Sequence, residues 1–306
     1  MDKINYSVVI PVFNSEATLK ELYHRITRVF ENLDKSYEVI FVEDCGTDNS
    51  WHVIENLKEN DPSHIIGIKF SKNVGQHNAI LCGLNYVSGE FVITIDDDLQ
   101  NLPEDIPKLI DERAASNSEL VYGYYHEKKH NMLRNLGSNL IQLVFRNIFR
   151  TKGKITSFRL IDSELVKKIV SHKQNFVFID GLLHWYTKYI SYTFVEHEER
   201  KIGRSGYSFK KLVALSNNLI FNFTTYPLKI VIYLGIFFSC ISFFIGFIFI
   251  FRKFVYDVPI GYTSIIVSIF FTAGLISLII GAVGEYIIRI FTLQNDKPQF
   301  SVRKII

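Results

Sequence analysis

The chain has 306 residues, which is enough for one large domain or two small ones. Its formal net charge of +3 is too small to indicate a nucleic-acid-binding protein. Cys45, Cys82 and Cys240 lie far apart and share no metal-ligand spacing, so reduced thiols are expected rather than a zinc site or a disulfide framework.

Strands and helices alternate through the first part of the chain. The predicted strands are Tyr6–Val12, Tyr37–Val42, Ile65–Phe70, Phe91–Ile95 and Leu120–Tyr124. The predicted helices between them are Ser15–Leu33, Asn49–Asn60, Gln76–Val87 and Pro103–Ser116, the first with Ser15 as a plausible cap. Apolar strands that alternate with helices predict an α/β fold with a mostly parallel sheet, covered by helices on both faces.

The second part of the chain mixes further elements with amphipathic segments. Leu133–Phe149 carries an apolar stripe at helical spacing, and Ser157–Ile161 and Tyr192–His197 are predicted strands on either side of a helix at Ile179–Lys188. Phe209–Tyr226 mixes lysines with apolar residues, which predicts a helix lying on a membrane surface.

Two uncharged stretches follow, Ile230–Phe251 and Ile260–Gly284, and each exceeds the roughly 20 residues that a membrane-spanning helix needs. Basic residues lie before the first stretch and after the second. This positive-inside bias favours a protein of the plasma (inner) membrane with both termini in the cytoplasm. No signal peptide is recognisable before the first strand. The expected domains are a cytoplasmic domain over 1–208, a juxtamembrane helix over 209–227, two spans over 228–291 and a cytoplasmic tail over 292–306.

Polar clusters follow the first four predicted strands. They read PVFNSE, EDCGTDNS, SKNVGQHN and DDDLQN in chain order. Because parallel strands bring their carboxyl ends to one edge of a sheet, where ligands bind, four separate segments should deliver polar groups to a single site.

The run of Asp96, Asp97 and Asp98 calls for a positive partner. Alternate side chains of an extended segment share a side, so Asp96 and Asp98 should point together and away from Asp97. Two carboxylates suit Mg²⁺ or Mn²⁺, with Gln100 as a possible third ligand. A solvated acidic turn is the alternative, and the position at the sheet edge favours the metal.

Known phosphate and nucleophile motifs are absent from the sequence. It has no GxGxxG, no GxxxxGK[ST], no HExxH and no GxSxG, which argues against a dinucleotide fold, a P-loop ATPase, a zinc protease and a serine hydrolase. A metal-held diphosphate without a glycine cradle makes nucleotide-sugar transfer the leading interpretation.

Four segments resemble glycosyltransferase family 2, and within it the polyprenyl-phosphate glycosyltransferases. They read VVIPVFNSEATL, EVIFVEDCGTDNS, NVGQHNAILCGL and IDDDLQNLPEDIPKLI, and the resemblance extends through ERKIGRSGYSFKKL and the two apolar stretches. It implies a GT-A type domain, a UDP-sugar donor, a polyprenyl-phosphate acceptor in the membrane and a homo-oligomer.

The resemblance also implies which residues form the site. Those expected to contact the nucleotide or its sugar are Pro11, Asn14, Glu16, Asp44, Gln76, Asp96 and Asp97. Those expected to hold the cation are Asp96, Asp98 and Gln100. Those expected at the acceptor phosphate are Lys129, Arg134, Ser138, Arg200, Ser205 and Tyr207. Expected to act in catalysis are Asp96, Asp98, Arg134 and Arg200.

The sequence departs from the family pattern at three places. Tyr125 stands where relatives often have an arginine, and Gly206 where they have a lysine. Ser157 stands where many relatives have the aspartate of DFRL, so a catalytic base at that position is ruled out unless Asp162 has taken over. A phosphate acceptor is already a nucleophile at neutral pH, which makes a base dispensable.

The predicted reaction is one in-line displacement that inverts the anomeric configuration. Glucose is the first candidate for the sugar, and an amino-sugar, a formamido-sugar or a hexosamine stays open. A processive polysaccharide synthase would need more spans and a QxxRW-like motif, and Trp185 lies in DGLLHWY without it. A non-catalytic lipid-binding membrane protein would not need the acidic cluster.

Overall fold

The computed structural model of the chain describes residues 4–125, 155–171, 177–198, 262–294 and 298–306, with scattered residues between 229 and 255. The chain divides into two compact units, one formed by residues 1–213 with 298–306 and the other by residues 214–297. The predicted helices Leu133–Phe149 and Phe209–Tyr226 lie outside the described residues.

The first unit is a sheet with helices. Its strands are β1 Tyr6–Val12, β2 Tyr37–Glu43, β3 Ile65–Phe70, β4 Phe91–Thr94, β5 Leu120–Tyr124, β6 Arg159–Asp162, β7 Ile190–Phe194 and β8 Val302–Ile305. Its helices are α1 Leu19–Leu33, α2 Ser50–Asn60, α3 Gln76–Leu84, α4 Ile106–Ser116, α5 Ser163–Val170 and α6 Ile179–Tyr186, and a 3₁₀ turn at Pro103–Asp105 precedes α4.

In the second unit, α7 covers Tyr262–Gln294. Of the helices in the described ranges, none combines the length and the apolar character that crossing a membrane requires.

The eight strands form one sheet in the order β7-β5-β6-β4-β1-β2-β3-β8. Neighbours pair in parallel, except that β6 runs antiparallel to β4 and β5, and β8 runs antiparallel to β3. The predicted mostly parallel α/β sheet is therefore confirmed.

Successive residues of the central strands contribute their side chains to two hydrophobic cores, one on each face of the sheet. Val8 and Ile10 of β1 pack with residues of α1, α2 and α4, whereas Val9 packs with α3, α5 and α6. Both faces of the central strands are thus buried, which explains why these strands read as continuous apolar runs rather than as alternating ones.

Several predicted boundaries are wrong by a few residues. The first helix begins at Leu19 instead of Ser15. The Ser15 hydroxyl donates a hydrogen bond to Asp97 and therefore does not cap the helix. The last strand of the main run is Ile190–Phe194, two residues before its predicted start. No strand was predicted beyond the apolar stretches, yet Val302–Ile305 forms β8 at the edge of the sheet.

Candidate active site

The candidate site lies at the point in the sheet where the order of successive strands reverses. From β1 the chain moves outward through β2 and β3, and β4 then pairs with the other side of β1. The crevice between the carboxyl ends of β1 and β4 is the position where open α/β sheets bind ligands. The three adjacent aspartates follow β4 at this crevice.

Asp97 binds the loop that follows β1. Its Oδ2 accepts hydrogen bonds from the Phe13 N–H at 3.0 Å and from the Ser15 hydroxyl, and its backbone oxygen accepts one from Thr18 Oγ1 at 2.5 Å. Burial raises its pKa to about 6. Asp97 therefore joins the ends of β1 and β4 across the crevice.

Asp96 binds a different pair of segments. Its Oδ1 accepts a hydrogen bond from Gln76 Nε2 at 2.6 Å, and its Oδ2 accepts one from the Ser157 hydroxyl. Burial raises its pKa to about 7, and the neighbouring negative charges act in the same direction. Asp96 and Asp97 thus turn to different sides, as their adjacent positions predicted.

Asp98 lies in a tight turn. Its Oδ1 accepts the Gln100 N–H at 3.1 Å, and Leu99 between them is buried with a left-handed φ of 59°. The Gln100 backbone oxygen accepts the Glu198 N–H at 2.9 Å, so the segment after β7 pairs with this turn. His197 in that segment is half-buried, which lowers its pKa, while the charge of Asp98 opposes that shift.

The residues predicted to line the nucleotide pocket connect the loops around it. The Asn14 Oδ1 accepts the Thr47 N–H at 2.7 Å, and the Glu16 carboxylate accepts the Asn49 N–H at 3.1 Å. Pro11 is buried within β1. The hydrogen bonds place Asn14 and Glu16 beside the loop after β2, whereas Pro11 lies opposite Val42 of β2. The contact of these three residues with a nucleotide stays a prediction.

Asp44 shapes the loop before α3. Its two carboxylate oxygens accept the backbone N–H groups of Val74 at 2.7 Å and Gly75 at 2.8 Å, and its backbone oxygen accepts Asn73 Nδ2 at 3.0 Å. Burial raises the pKa of Asp44. Gly75 has a φ of 92°, which a side-chain-bearing residue rarely adopts, and Gln76 follows it directly.

A buried charged network lies beneath the aspartates, and sequence reasoning missed it. Arg159 is 1% exposed, forms an ion pair with Asp180 and donates from Nε to Thr94 Oγ1 at 3.0 Å. The Thr94 hydroxyl donates to the Ser157 backbone oxygen at 2.5 Å, and the Tyr122 hydroxyl donates to Asp180 at 3.0 Å. The network fixes the backbone of Ser157, whose hydroxyl reaches Asp96. A long basic residue within a predicted buried strand was the available signal.

Asp162 does not replace the missing family aspartate. In the antiparallel pair of β4 and β6 it lies opposite Phe91 at the start of β4, whereas Arg159 lies opposite Thr94 at its end. Asp162 pairs with Arg113, with a nitrogen–oxygen distance of 3.1 Å. It therefore occupies the edge of the sheet away from the aspartate cluster.

The residues predicted for the acceptor phosphate lie outside the described part of the chain. They are Lys129, Arg134, Ser138, Arg200, Ser205 and Tyr207. Within the described part of the chain, the structure brings together the residues predicted for the donor side.

The acidic corner suits a divalent cation by its chemistry. Asp96 and Asp97 are adjacent and partly buried, and the hydrogen bonds that they accept come from the neutral donors described above. Within the described residues no cluster of three or more His, Cys, Asp and Glu is arranged as a complete metal cage. Mg²⁺ needs no such cage, since it is bound through one or two carboxylates and completes its shell with water and phosphate oxygens.

The mixed sheet with helices on both faces fits a GT-A-like fold. The family model described as Glycosyl transferase family 2 matches residues 7–170, more than half of the chain. The chain therefore belongs to glycosyltransferase family 2, and this part of the sequence prediction is confirmed.

Solved structures are similar to this chain at low identity. Glucosyl-3-phosphoglycerate synthase from Mycobacterium tuberculosis in complex with UDP is 18% identical and covers 71% of this chain and 78% of its own, with a TM-score of 0.50. The same synthase in complex with Mn²⁺, UDP and phosphoglyceric acid is also 18% identical. That match covers 71% of this chain and 76% of the synthase chain, with a TM-score of 0.50. S. aureus TarS 1–349 is 16% identical over 63% of this chain, at a TM-score of 0.45, and the match spans 60% of that chain.

Proposed function

We propose that this protein transfers a sugar from a UDP-sugar to a polyprenyl phosphate at the cytoplasmic face of a membrane, with inversion at the anomeric carbon and with Mg²⁺ or Mn²⁺. The observation that carries the proposal is the partly buried aspartate cluster at the crevice between β1 and β4, hydrogen-bonded by neutral donors. Glucose is the first sugar to test, and an amino-sugar, formamido-sugar or hexosamine is the alternative.

The donor side of the proposal follows from the positions of the side chains. Asp98 and Gln100 lie in one tight turn and are the proposed cation ligands. Both oxygens of Asp96 accept hydrogen bonds from Gln76 and Ser157, so we assign it to orienting the sugar and make it a secondary ligand. When bound, the cation supplies positive charge that stabilises the leaving UDP. The fold is shared with a synthase solved with UDP and Mn²⁺, which supports the choice of nucleotide.

The acceptor side of the proposal rests on chemistry and on the sequence. A phosphate monoester has a second pKa of about 6 and is largely a dianion at neutral pH, so it can attack without a general base. Ser157 cannot serve as one, and Asp162 lies at the other edge. Arg134, Arg200 and Lys129 are the proposed attractors of the phosphate, with Ser138, Ser205 and Tyr207 beside them.

Attachment to the plasma membrane is proposed from the two uncharged stretches and their basic flanks. In the described residues of these stretches, large apolar side chains such as Ile269, Phe271 and Ile280 are exposed. A lipid acceptor cannot leave the bilayer, so holding the sheet edge at headgroup height would bring the two substrates together. The proposed assembly is a homo-oligomer with both termini in the cytoplasm.

A direct assay tests this function. Full-length protein in lipid nanodiscs is given a panel of UDP-sugars, Mn²⁺ and undecaprenyl phosphate, and UDP release is measured. We expect release with one donor, dependent on the lipid phosphate and abolished by Asp98→Ala. Asp162→Ala, the same change at the other sheet edge, should leave release intact. No lipid-dependent release with any donor would reject the acceptor, and an NMR spectrum showing a retained anomeric configuration would reject the single displacement.

A further inference from the structure

The last strand of the sheet comes from a segment that is remote in sequence. The chain leaves the first unit after Val213 and re-enters it at Pro298. Residues 298–306 then contribute β8, which covers the outer edge of β3. An uncovered strand edge would present free N–H and C=O groups to any extended peptide.

The contact between β8 and β3 has the features of peptide recognition by strand addition. Gly67 and Ile306 exchange two backbone hydrogen bonds of 3.1 and 2.9 Å, and the Ser71 N–H donates to the Ser301 oxygen at 2.9 Å. The pairing skips one residue between Val302 and Lys304, which oppose Phe70 and Lys69. Main-chain bonds of this kind supply affinity, and side-chain pockets supply specificity.

Side chains of the segment fit pockets on both faces of the sheet. The Phe300 ring stacks on the buried Phe70 ring with centroids 5.6 Å apart. The Lys304 Nζ donates to Glu55 Oε1 at 2.8 Å, a bond that lowers the pKa of Glu55. Ile306 approaches Gly67 so closely that a Cβ there would lie 2.7 Å from the Ile306 Cγ1. The absence of a side chain at Gly67 therefore makes room for Ile306.

The groove connects to the donor site through one short loop. Ser71, held by Ser301, begins the loop whose Val74 and Gly75 N–H groups are held by the Asp44 carboxylate. The next residue, Gln76, donates to Asp96 at 2.6 Å. Four residues thus lie between Ser71, which contacts the segment 298–306, and Gln76, which contacts the aspartate cluster.

We propose that the outer edge of β3 is a peptide-binding groove whose ligand is the chain's own segment 298–306, and that filling it sets the affinity of the donor site for UDP. Occupancy would restrict the loop over residues 71–76 and so hold Gln76 against Asp96. The coupling rests on the proposed function, whereas the groove itself does not.

The test removes the segment and returns it as a separate molecule. The chain truncated after Lys297 is titrated with a fluorescent peptide of residues 298–306. Its affinity for UDP–Mn²⁺ is then measured with and without a saturating amount of that peptide. We expect saturable peptide binding, a loss of UDP affinity of about tenfold on truncation, and recovery to within about twofold when the peptide is bound.

Two N-methylated peptides supply a matched control. Methylation at Ile306 removes the N–H that donates to Gly67, whereas the Ile305 N–H points away from β3 because N–H groups alternate along an antiparallel pair. Peptide methylated at Ile306 should bind at least about tenfold more weakly, and peptide methylated at Ile305 should bind as the parent does. Equal binding by both would overturn the proposed groove, as would absent saturable binding of the parent peptide.

A second variant covers the case in which the truncated chain fails to fold. Full-length Ile306→Ala keeps the segment and loses its pocket contact, so hydrogen exchange at β3 should speed up and UDP affinity should fall. Faster exchange with unchanged UDP affinity would overturn the coupling. If the unaltered chain binds no UDP, the proposed function fails while the peptide titration still decides on the groove.

Discussion

The amino edge and the carboxyl edge of the sheet both carry carboxylates, but the two sets have different hydrogen-bond partners. At the amino edge, Glu38 accepts the Ser7 hydroxyl and the Ser88 N–H, each at 2.6 Å, and Asp162 pairs with the guanidinium of Arg113. At the carboxyl edge, three acids follow one another, and the bonds to the first two come from neutral groups.

This difference distinguishes carboxylates that hold the structure together from carboxylates that can bind a cation or take part in chemistry. An isolated acid with good donors or an ion pair holds loops and strands together. Adjacent acids without a bound counter-charge raise one another's pKa, and such sites are where proteins bind cations or perform chemistry. The comparison therefore favours a functional role for the carboxyl edge and a structural role for the amino edge.

The largest expected effect is the loss of activity in Asp98→Asn. The substitution keeps the size of the side chain and removes the charge that would hold the cation, so sugar transfer should fall by about 10³-fold. The assay is UDP release with Mn²⁺. Asp162→Asn should stay within about twofold of the parent, and equal losses in both variants would contradict the functional distinction between the edges.

Asp180→Asn should affect stability strongly. It leaves the buried Arg159 guanidinium without its carboxylate, and breaking a buried ion pair in this way costs about 3–5 kcal/mol. Urea unfolding measures the change in the free energy of unfolding. Lys167→Ala, which breaks the exposed pair with Glu164, should leave the unfolding midpoint unchanged.

Ser157→Ala should have a moderate effect on activity. Its hydroxyl donates to Asp96 and lowers the pKa of that acid against the effect of burial, so its removal should raise the pKa further. We expect transfer at pH 7 to fall by about tenfold and the acidic limb of the pH–rate profile to move to higher pH. An unchanged profile would show that Asp96 does not titrate in this reaction.

The last prediction concerns pH and thermal stability. The pKa of Asp96 is raised to about 7 and that of Asp97 to about 6, so the folded state holds protons that the unfolded chain releases near pH 4. Stability without a cation should therefore decline as pH rises from 4 to 7, by ~2–4 °C in melting temperature for each kcal/mol lost. Mn²⁺ should reverse the decline, and a melting temperature that rises over this range would contradict it.

Much of the fold was predictable because strand pattern and turn residues are local signals. The first five predicted strands are reproduced to within one residue at each end, and the aspartate cluster lies at the predicted sheet edge. The helix start at Ser15 was wrong because a long-range bond to Asp97 outweighed its capping preference. The 3₁₀ turn at Pro103–Asp105 was likewise read as the start of a helix.

The amino-acid sequence by itself determined the sheet, the family and the convergence of acids, since each is written in residues close together along the chain. Only the tertiary structure decided the partners of those acids, the exclusion of Asp162 by strand direction and the return of residues 298–306 to the edge of β3. The long-range contacts among these join residues from 20 to 249 positions apart, and no local pattern encodes which of them meet.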